Sequence, residues 1–451
     1  MNIHGKKIVL AHGLRTPWGH INKSLSRFSA AELATMSLRE VLAQSAIDPA
    51  LIDGVILGWV GQGTSAPNIA RIASVTAGLP VTTLAYTLHV NCVAGMESVC
   101  SAIRHMLADE GELFIAGGTE SMSNLPYVIR GVRQSSGFRT LNDLQKKWAQ
   151  LQNDPNLKLG DARVESTFDP ICNMLQSETA EALAQIHGIS RQEQDDYALT
   201  SYRRALAAIE AGAYDSHVFP VHQGDELLLE RDENPGLRRK FVERPDKIAK
   251  SPFLFSDSDT PFENFYIKNQ RYLMGKTFDC EASQPTLTPF NSCPLTDGSA
   301  AVIVTTEERA RHCGLESLAV VEGWGFAGVE PAHMGIGPVY AAQKALQATG
   351  HTFADMDLVE LHEAFAAGCL AIFKVGRSEY GQGWQELFEA EKLNPCGGSL
   401  ALGHPLGATG TRLLLNLAYA LKQSPDKRIG LAAGCASGGI AGCMILSRYD
   451  G

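Results

Sequence analysis

Short apolar runs alternate with longer amphipathic segments over residues 1–124 and again over residues 309–451. The runs KIVLAHGL and GVILGWV are typical of buried strands, whereas AAELATMSLREVLAQS and GMESVCSAIRHML repeat their apolar positions at the spacing of a helix. After residue 309 the helical pattern returns in VYAAQKALQATG and GATGTRLLLNLAYALKQ, and the strand pattern returns in RIGLAAGC and GGIAGCMILSR. This alternation predicts an α/β protein with helices on both faces of its sheet.

The stretch between these regions is polar and irregular, and it interrupts the alternation. It contains one strong helix, in which Ser190 and Glu193 form a capping box and Gly212 suits the C-terminal end. A segment this long is predicted to be an inserted domain and not a connection. The predicted domains are an N-terminal half at 1–124 completed by a strand at about 286–308, an inserted loop domain at 125–285, and a C-terminal half at 309–451.

Composition and charge exclude several classes of protein. The chain has 39 Lys and Arg against 49 Asp and Glu, a net charge of −10 without basic blocks, which argues against nucleic-acid binding. No apolar run approaches the roughly 18 residues of a membrane span, so no transmembrane segment is expected. The start MNIHGKKIVL shows neither a signal nor a transit peptide, which predicts a cytoplasmic protein. The ten cysteines form no C-x-x-C pair and are expected to be reduced thiols.

Four positions could carry chemistry. Cys92 follows a predicted strand and precedes a helix, a place where ligands bind in α/β sheets and where the helix N-terminus is expected to lower the pKa of a thiol. His404 in GGSLALGHPLGATG occupies a comparable helix start, and His362 and Cys435 lie in LHEAFAAG and GLAAGCASGG. Taken singly, each is more readily a packed core residue than a catalyst. The metalloprotease pattern H-E-x-x-H fails because Ala366 occupies the position of its second histidine, so no metal site is predicted.

Taken together, these motifs resemble those of the thiolase family, in the right order and over nearly the full length. LRTPWG, NCVAGMESV and AGGTESMSNLPY resemble the N-terminal signatures, and GISRQEQDDYALTSYRRALAAIEAGAY resembles part of the inserted domain. NSCPLTDGSAAVIV, LHEAFAA, GGSLALGHPLGATGTR and GCASGG resemble the C-terminal set. The resemblance implies the α/β thiolase fold: two similar βαβαβαββ halves in a five-layer α-β-α-β-α body, plus an inserted loop domain.

The resemblance also implies the roles of the candidate residues. Cys92 would be the nucleophile that is acylated, His404 the base that activates it, and Cys435 the acid and base at the α-carbon of the substrate. His362 stands where most thiolases have asparagine, a variation shared with the β-subunits of trifunctional fatty-acid oxidation complexes, and it would donate to the thioester oxygen beside His404. Backbone N–H groups of Cys92 and near Ser437 would hold the other oxyanion. Ser437 replaces the usual glycine and would be strained if its φ were positive.

The resemblance places coenzyme A, as a substrate and not a bound cofactor, in the inserted domain. The basic residues expected to meet its phosphates are Arg238, Arg239, Lys240, Lys247 and Lys250. Met174 and Cys293 are predicted to line the substrate pocket with Arg238 and Lys240.

The expected function is a 3-ketoacyl-CoA thiolase of fatty-acid β-oxidation, which uses CoA to cleave 3-ketoacyl-CoA into acetyl-CoA and a shortened acyl-CoA. The alternatives are an acetoacetyl-CoA thiolase working in the condensing direction, a ketosynthase, which GCASGG disfavours, and a partner-docking subunit of a multienzyme complex. A homodimer or homotetramer is expected. A hydratase/dehydrogenase α-subunit is a further candidate partner, docking around Arg130 to Trp148.

Overall fold

The computed structural model describes residues 5–132, 141–146, 157–255 and 261–451. Ten strands form one mixed sheet: β1 (Ile8–Arg15), β2 (Gly19–His20), β3 (Gly54–Gly58), β4 (Leu84–Leu88), β5 (Leu113–Ser121), β6 (Thr296–Thr306), β7 (Ala319–Gly328), β8 (Leu358–Leu361), β9 (Ile429–Ala436) and β10 (Ile440–Arg448). The insert adds three two-stranded pairs: Tyr127–Arg130 with Lys158–Asp161, Phe168–Asp169 with Met174–Leu175, and Val221–Gln223 with Glu226–Leu229.

The α-helices of the described residues cover the sheet and build most of the insert. They are α1 (Ala30–Ser45), α2 (Ile69–Ala77), α3 (Ala94–Leu107), α4 (Leu141–Lys146), α5 (Ala162–Glu165), α6 (Gln176–His187), α7 (Arg191–Glu210), α8 (Glu233–Glu243), α9 (Glu263–Asn269), α10 (Glu307–His312), α11 (Gly337–Thr349), α12 (Ala366–Tyr380), α13 (Trp384–Glu389), α14 (Ser399–Leu402) and α15 (Leu406–Gln423). None of these helices is both long and apolar enough to cross a lipid bilayer.

Both halves of the molecule repeat one strand order. It runs β1–β6–β5–β3–β4 in the first half and β7–β10–β9–β8 in the second. In each half the second strand in this order, β6 or β10, comes last along the chain and is antiparallel to both its neighbours. β3 is parallel to β5, and β8 is parallel to β9. The second half has no full equivalent of β4, and an isolated bridge between Val359 and Leu393 stands in its place.

The two halves join through their first strands. β1 and β7 are antiparallel, with Val9 opposite Val320 and Leu10 opposite Ala319, so the hydrogen bonding is continuous across all ten strands. The connection between β5 and β6 and the equivalent connection between β9 and β10 differ greatly in length. In the second half the turn is only Ser437–Gly439, whereas in the first half the whole insert separates Ser121 from Thr296.

Helices α3 and α15 form the central layer between the two halves of the sheet. They share one core cluster with strand residues of both halves, among them Ile56 and Met444, whereas α1 with α2 and α11 with α12 pack on the outer faces. Almost every residue of α15 is buried, as expected for a helix with partners all round. At the contact of the two central helices, a Cβ on Gly410 would lie 2.4 Å from the backbone N of Met96. The five-layer thiolase-type arrangement is therefore confirmed.

The insert is held to the body by a buried ion pair. Arg15 of β1 donates from Nη1 and Nη2 to the two carboxylate oxygens of Asp232 at 2.7 Å each, and the Trp18 N–H donates to the same carboxylate at 2.8 Å. The Arg15 guanidinium also lies 5.1 Å from the centre of the Trp18 ring. The LRTPWG motif therefore attaches the residue preceding α8 to the first strand.

The predicted capping box of α7 is confirmed. Ser190 Oγ accepts from the Glu193 N–H, the Ser190 N–H donates to the Glu193 carboxylate at 2.7 Å, and Gly212 has a φ of +71° just beyond the helix. Of the docking segment predicted around Arg130 to Trp148, residues 133–140 and 147–148 lie outside the described residues.

Candidate active site

Cys92 lies in the tight turn that leads from β4 into α3. The turn is closed by backbone hydrogen bonds from Val93 to Val90 at 3.3 Å and from Ala94 to Asn91 at 2.9 Å. Asn91 has a φ of +48°, and its side-chain amide donates to the Ser437 carbonyl at 2.8 Å. This turn is therefore tied directly to the turn between β9 and β10.

His362 and His404 converge on Cys92. Their ring centroids are 4.2 Å apart, and one ring nitrogen of each lies within 4.8 Å of the Cys92 Sγ and of the other histidine's nitrogen. The Nδ1 atoms bond to hydroxyl groups, whereas both buried Nε2 atoms lack a hydrogen-bond partner among the described residues. The two Nε2 atoms are thus the ones available to Cys92 and a bound molecule.

A cavity of about 530 Å³ opens beside these residues. Cys92, Cys293, His404, Cys435 and Ser437 contribute to its walls, so two of the three thiols come from distant strand ends and one from the segment before β6. Burial, reinforced by proximity to Cys92, raises the pKa of both Cys293 and Cys435. The four predicted catalytic residues therefore meet at one place, with Cys92, His404 and Cys435 in the cavity wall and His362 in ring contact with His404.

The expected lowering of the Cys92 pKa is wrong for this state of the protein. Burial raises the pKa of Cys92 to about 12, although hydrogen bonds from the backbone at Ser437 and Cys92 lower it. Burial and the Arg412 charge lower the pKa of His404 to about 3. Desolvation of the charged forms outweighs the helix N-terminus, so both groups are neutral near pH 7.

Hydroxyl groups bond to the Nδ1 atoms of both histidines. Thr409 donates to the Pro405 carbonyl and therefore accepts from His404 Nδ1 at 2.6 Å, which leaves His404 Nε2 as a proton acceptor. Ser399 Oγ accepts from Arg412 Nη2 at 2.8 Å and lies 2.8 Å from His362 Nδ1. With the Ser399 hydrogen directed to Nδ1, His362 would carry its ring proton on Nε2 and act there as a donor.

Glu363, which follows His362 in the chain, has a structural role. Its carboxylate accepts from Tyr197 at 3.1 Å, Ser201 at 2.7 Å and Asn394 at 2.7 Å, and from the Leu400 N–H at 3.3 Å. Helix α7 of the insert is thereby joined to the segment that carries His404.

The turn after Cys435 is also fixed by the insert. Asp169 accepts from the Gly438 N–H at 2.7 Å, and Gln176 Nε2 donates to Ser437 Oγ at 2.7 Å. The possible strain at Ser437 is absent, because the positive φ values of this turn fall on Gly438 and Gly439. Sequence reasoning missed Asp169 and Gln176 because neither stands in a recognisable motif, whereas Asn91 adjoined Cys92 and could have been found.

The structure brings only half of the predicted substrate-binding residues to the cavity. Arg238 and Cys293 line it, whereas Met174 and Lys240 do not. Met174 is fully buried in an aromatic cluster of the insert, because its neighbour Leu175 takes the cavity side and successive strand residues face opposite ways. Lys240 lies about 200° around α8 from Arg238, is exposed, and has its ammonium 5.3 Å from the Phe241 ring centre.

The other basic candidates also lie away from the cavity wall. Arg239 pairs with Glu210 at 2.8 Å, and Lys247 and Lys250 are exposed. A second cavity of about 610 Å³ meets the first at Asn91, Ser166 and Ser437.

Comparison with known proteins gives a consistent result. The family model "Thiolase, N-terminal domain" matches residues 8–241, and "Thiolase, C-terminal domain" matches residues 315–448. The acetyl-CoA acetyltransferase of Escherichia coli is 34% identical over 99% of this chain and 100% of its own length, and a probable acetyl-CoA acyltransferase of Staphylococcus epidermidis is 32% identical over 98% and 99%.

Two solved structures also superpose on nearly the whole chain. The acetyl-CoA acetyltransferase of Bacillus anthracis superposes with a TM-score of 0.81 and 31% identity, covering 98% of this chain and 99% of its own. Human mitochondrial 3-ketoacyl-CoA thiolase in complex with CoA has a TM-score of 0.81 and 28% identity, covering 98% of each chain.

Proposed function

Because the chain belongs to the thiolase family and is an acyltransferase, we propose that it is an acetyl-CoA C-acyltransferase acting in fatty-acid degradation. It would cleave 3-ketoacyl-CoA with CoA to acetyl-CoA and a shortened acyl-CoA. The observation that carries the proposal is the meeting of Cys92, His404 and Cys435 at one cavity. One thiol supplies the nucleophile, and the other supplies the acid that carbon–carbon cleavage needs.

In the first half-reaction the Cys92 sulfur attacks the keto carbon, and its proton passes to His404 Nε2. With a thiol pKa of about 12 and an imidazole pKa of about 3, this transfer accompanies attack and does not precede it. The bond between C2 and C3 then breaks. Cys435 gives its proton to C2 of the departing enolate, which yields acetyl-CoA and leaves the shortened acyl group on Cys92.

In the second half-reaction the Cys435 thiolate removes the proton of the incoming CoA thiol. The CoA sulfur attacks the acyl carbon, and Cys92 leaves as its sulfur recovers the proton from His404. Both thiols and the imidazole return to their starting state. A thiolate is a good nucleophile and also a good leaving group, which suits a reversible acyl-enzyme.

Two donor sets would hold the developing negative charges. Backbone N–H groups at Cys92 and Ser437, whose hydrogen bonds already lower the Cys92 pKa, would serve the oxyanion formed on the keto carbon. His362 Nε2–H would donate to the thioester oxygen of the enolate, together with His404 when it carries the proton.

The CoA substrate would enter along the side of the cavity lined by Arg238. A guanidinium there favours a phosphate, and a solved relative with the same fold contains CoA. The second cavity, reached past Asn91 and Ser166, would take an acyl group longer than acetoacetyl.

The test is a chain-length profile of thiolysis with and without free CoA. We expect repeated turnover only when CoA is present, with at most one acetyl-CoA released per Cys92 in its absence, and a higher kcat/KM for a long-chain 3-ketoacyl-CoA than for acetoacetyl-CoA. A clear preference for acetoacetyl-CoA would favour the condensing alternative, and repeated turnover without CoA would contradict the acyl-transfer chemistry.

Replacing Ser399 by alanine should lower kcat by about 10- to 100-fold with a smaller change in KM. The substitution removes the hydroxyl that bonds to His362 Nδ1 and that would hold the ring proton on Nε2, so the proposed donor is weakened in the transition state. Steady-state kinetics of Ser399→Ala measure this. Ser378→Ala is the matched control, because that hydroxyl bonds only within α12, to the Val375 carbonyl.

A double-mutant cycle separates positioning from a general structural effect. If Ser399 acts through His362, Ser399→Ala should add little to the loss caused by His362→Asn alone. Fully additive losses would show that Ser399 acts by another route.

A further inference from the structure

We propose that Cys92, His362 and His404 together bind a soft or borderline divalent cation such as Zn²⁺, and that the bound ion inhibits the enzyme by occupying its nucleophile. The inhibition rests on the proposed role of Cys92, whereas the binding itself does not. The Sγ atom and one nitrogen from each ring all lie within 4.8 Å of one another. In the part of the chain that the structure describes, this is the one cluster of three or more such side chains with that spacing.

A second observation points to a ligand at this place. His362 and His404 are only 2% and 5% exposed, and the Nε2 atom of each lacks a hydrogen-bond partner in the described part of the chain. A buried nitrogen without a partner costs free energy, which a bound cation would recover. Both rings are already oriented by hydroxyls on Nδ1, as metal-binding histidines usually are.

The donor set selects the kind of ion. One sulfur and two imidazole nitrogens suit Zn²⁺, whereas Mg²⁺ and Ca²⁺ prefer oxygen ligands. Zinc binds sulfur at about 2.3 Å and nitrogen at about 2.0–2.1 Å, so its ligand atoms stand roughly 3.5 Å apart. The longest separation among the three ligand atoms would have to shorten by on the order of 1 Å for all of them to bind one ion. The fourth position would face the cavity.

Each proton that the bound ion displaces has a destination. On binding, the Cys92 thiol releases its proton to solvent and becomes a zinc thiolate. His362 binds the ion through an unprotonated Nε2 and carries its ring proton on Nδ1, which donates a hydrogen bond to Ser399 Oγ. His404 already presents an unprotonated Nε2. The bound ion adds two positive charges and the thiolate removes one, while Glu360 offsets the nearby Arg412 guanidinium at 3.1 Å.

His362 makes this site stronger than it would be with the asparagine that stands there in most thiolases. Asparagine has only a weakly binding amide oxygen in place of an imidazole nitrogen. We therefore expect His362→Asn to weaken zinc binding by at least about tenfold. Thr409→Val, which removes the hydroxyl that orients His404, should weaken it less.

The test uses the full chain and the metal alone. Titration with Co²⁺ should give one bound ion per chain, with a thiolate-to-cobalt charge-transfer band that Zn²⁺ abolishes. Zn²⁺ should also block alkylation of the Cys92 peptide by iodoacetamide, measured by mass spectrometry, and Mg²⁺ should not. Cys92→Ala should lose the band, and His362→Asn should shift the midpoint at least tenfold.

Cys293→Ser and Cys435→Ser are the matched controls, because both thiols line the same cavity but lie outside the triad. The band should persist in both. A band that survives in Cys92→Ala, or a midpoint unchanged in His362→Asn, would overturn the proposal. These readouts do not need turnover, so a protein that binds cobalt here but cleaves no thioester would contradict only the proposed function.

Discussion

Replacing Cys92 by alanine is expected to reduce thiolysis by at least about four orders of magnitude. In the proposed mechanism the acyl-enzyme cannot form without this sulfur, and Cys435 does not replace it because its proposed role is at the α-carbon. The steady-state rate with 3-ketoacyl-CoA and CoA measures the loss. Mass spectrometry of the wild-type protein, mixed with 3-ketoacyl-CoA in the absence of CoA, should show the acyl group on the Cys92 peptide.

Cys313→Ser is the matched control for this experiment. Cys313 is also a half-buried free thiol, but it follows α10 on the far side of the first half, away from the cavity. It should keep nearly full activity. Substantial turnover by Cys92→Ala, or acylation of another cysteine in the wild type, would rule out the proposed mechanism.

Replacing Asp232 by alanine is expected to lower the free energy of unfolding by about 3–5 kcal/mol. The Arg15 side chain is 0% exposed and makes two hydrogen bonds to this carboxylate, so the substitution leaves a buried guanidinium without its counter-charge. The Trp18 N–H loses its acceptor as well. The midpoint of urea unfolding measures the effect.

The control is Glu210→Ala. Glu210 also pairs with an arginine, Arg239, at 2.8 Å, but both side chains are exposed. Its loss should change stability by no more than about 0.5 kcal/mol. Equal effects of the two substitutions would mean that burial of the Arg15 pair contributes nothing.

Local patterns predicted much of the fold, and the resemblance of the motifs indicated the four candidate residues that the structure brings together. Apolar periodicity located the strands and helices, and the capping box placed α7, because these signals depend on neighbours in sequence. The continuous hydrogen bonding between β1 and β7 was not predicted, since nothing in either strand specifies its partner. The sequence also did not predict that the second half lacks a full equivalent of β4, because a single bridge at Leu393 takes the place of a whole strand.

The site was harder to predict where the role of a residue depends on the direction of its side chain or on how deeply it is buried. Met174 and Lys240 have suitable chemistry but face away from the cavity, and sequence spacing alone does not say which face of a short strand or helix meets a ligand. The high pKa of Cys92 follows from burial by elements distant in the chain. Ser399 was overlooked because its importance comes from Arg412 and His362, which the fold brings together.

The connection that follows β5 is far longer than the one that follows β9, and the difference shows how little free energy an insertion costs at a surface turn. The entropy of closing a loop grows only with the logarithm of its length, so lengthening a turn like Ser437–Gly439 to the chain between Ser121 and Thr296 costs about 3–4 kcal/mol. A symmetric scaffold can therefore accept a long insert at one of its two equivalent turns, where buried contacts of Asp232, Asp169 and Glu363 tie the insert back to the body.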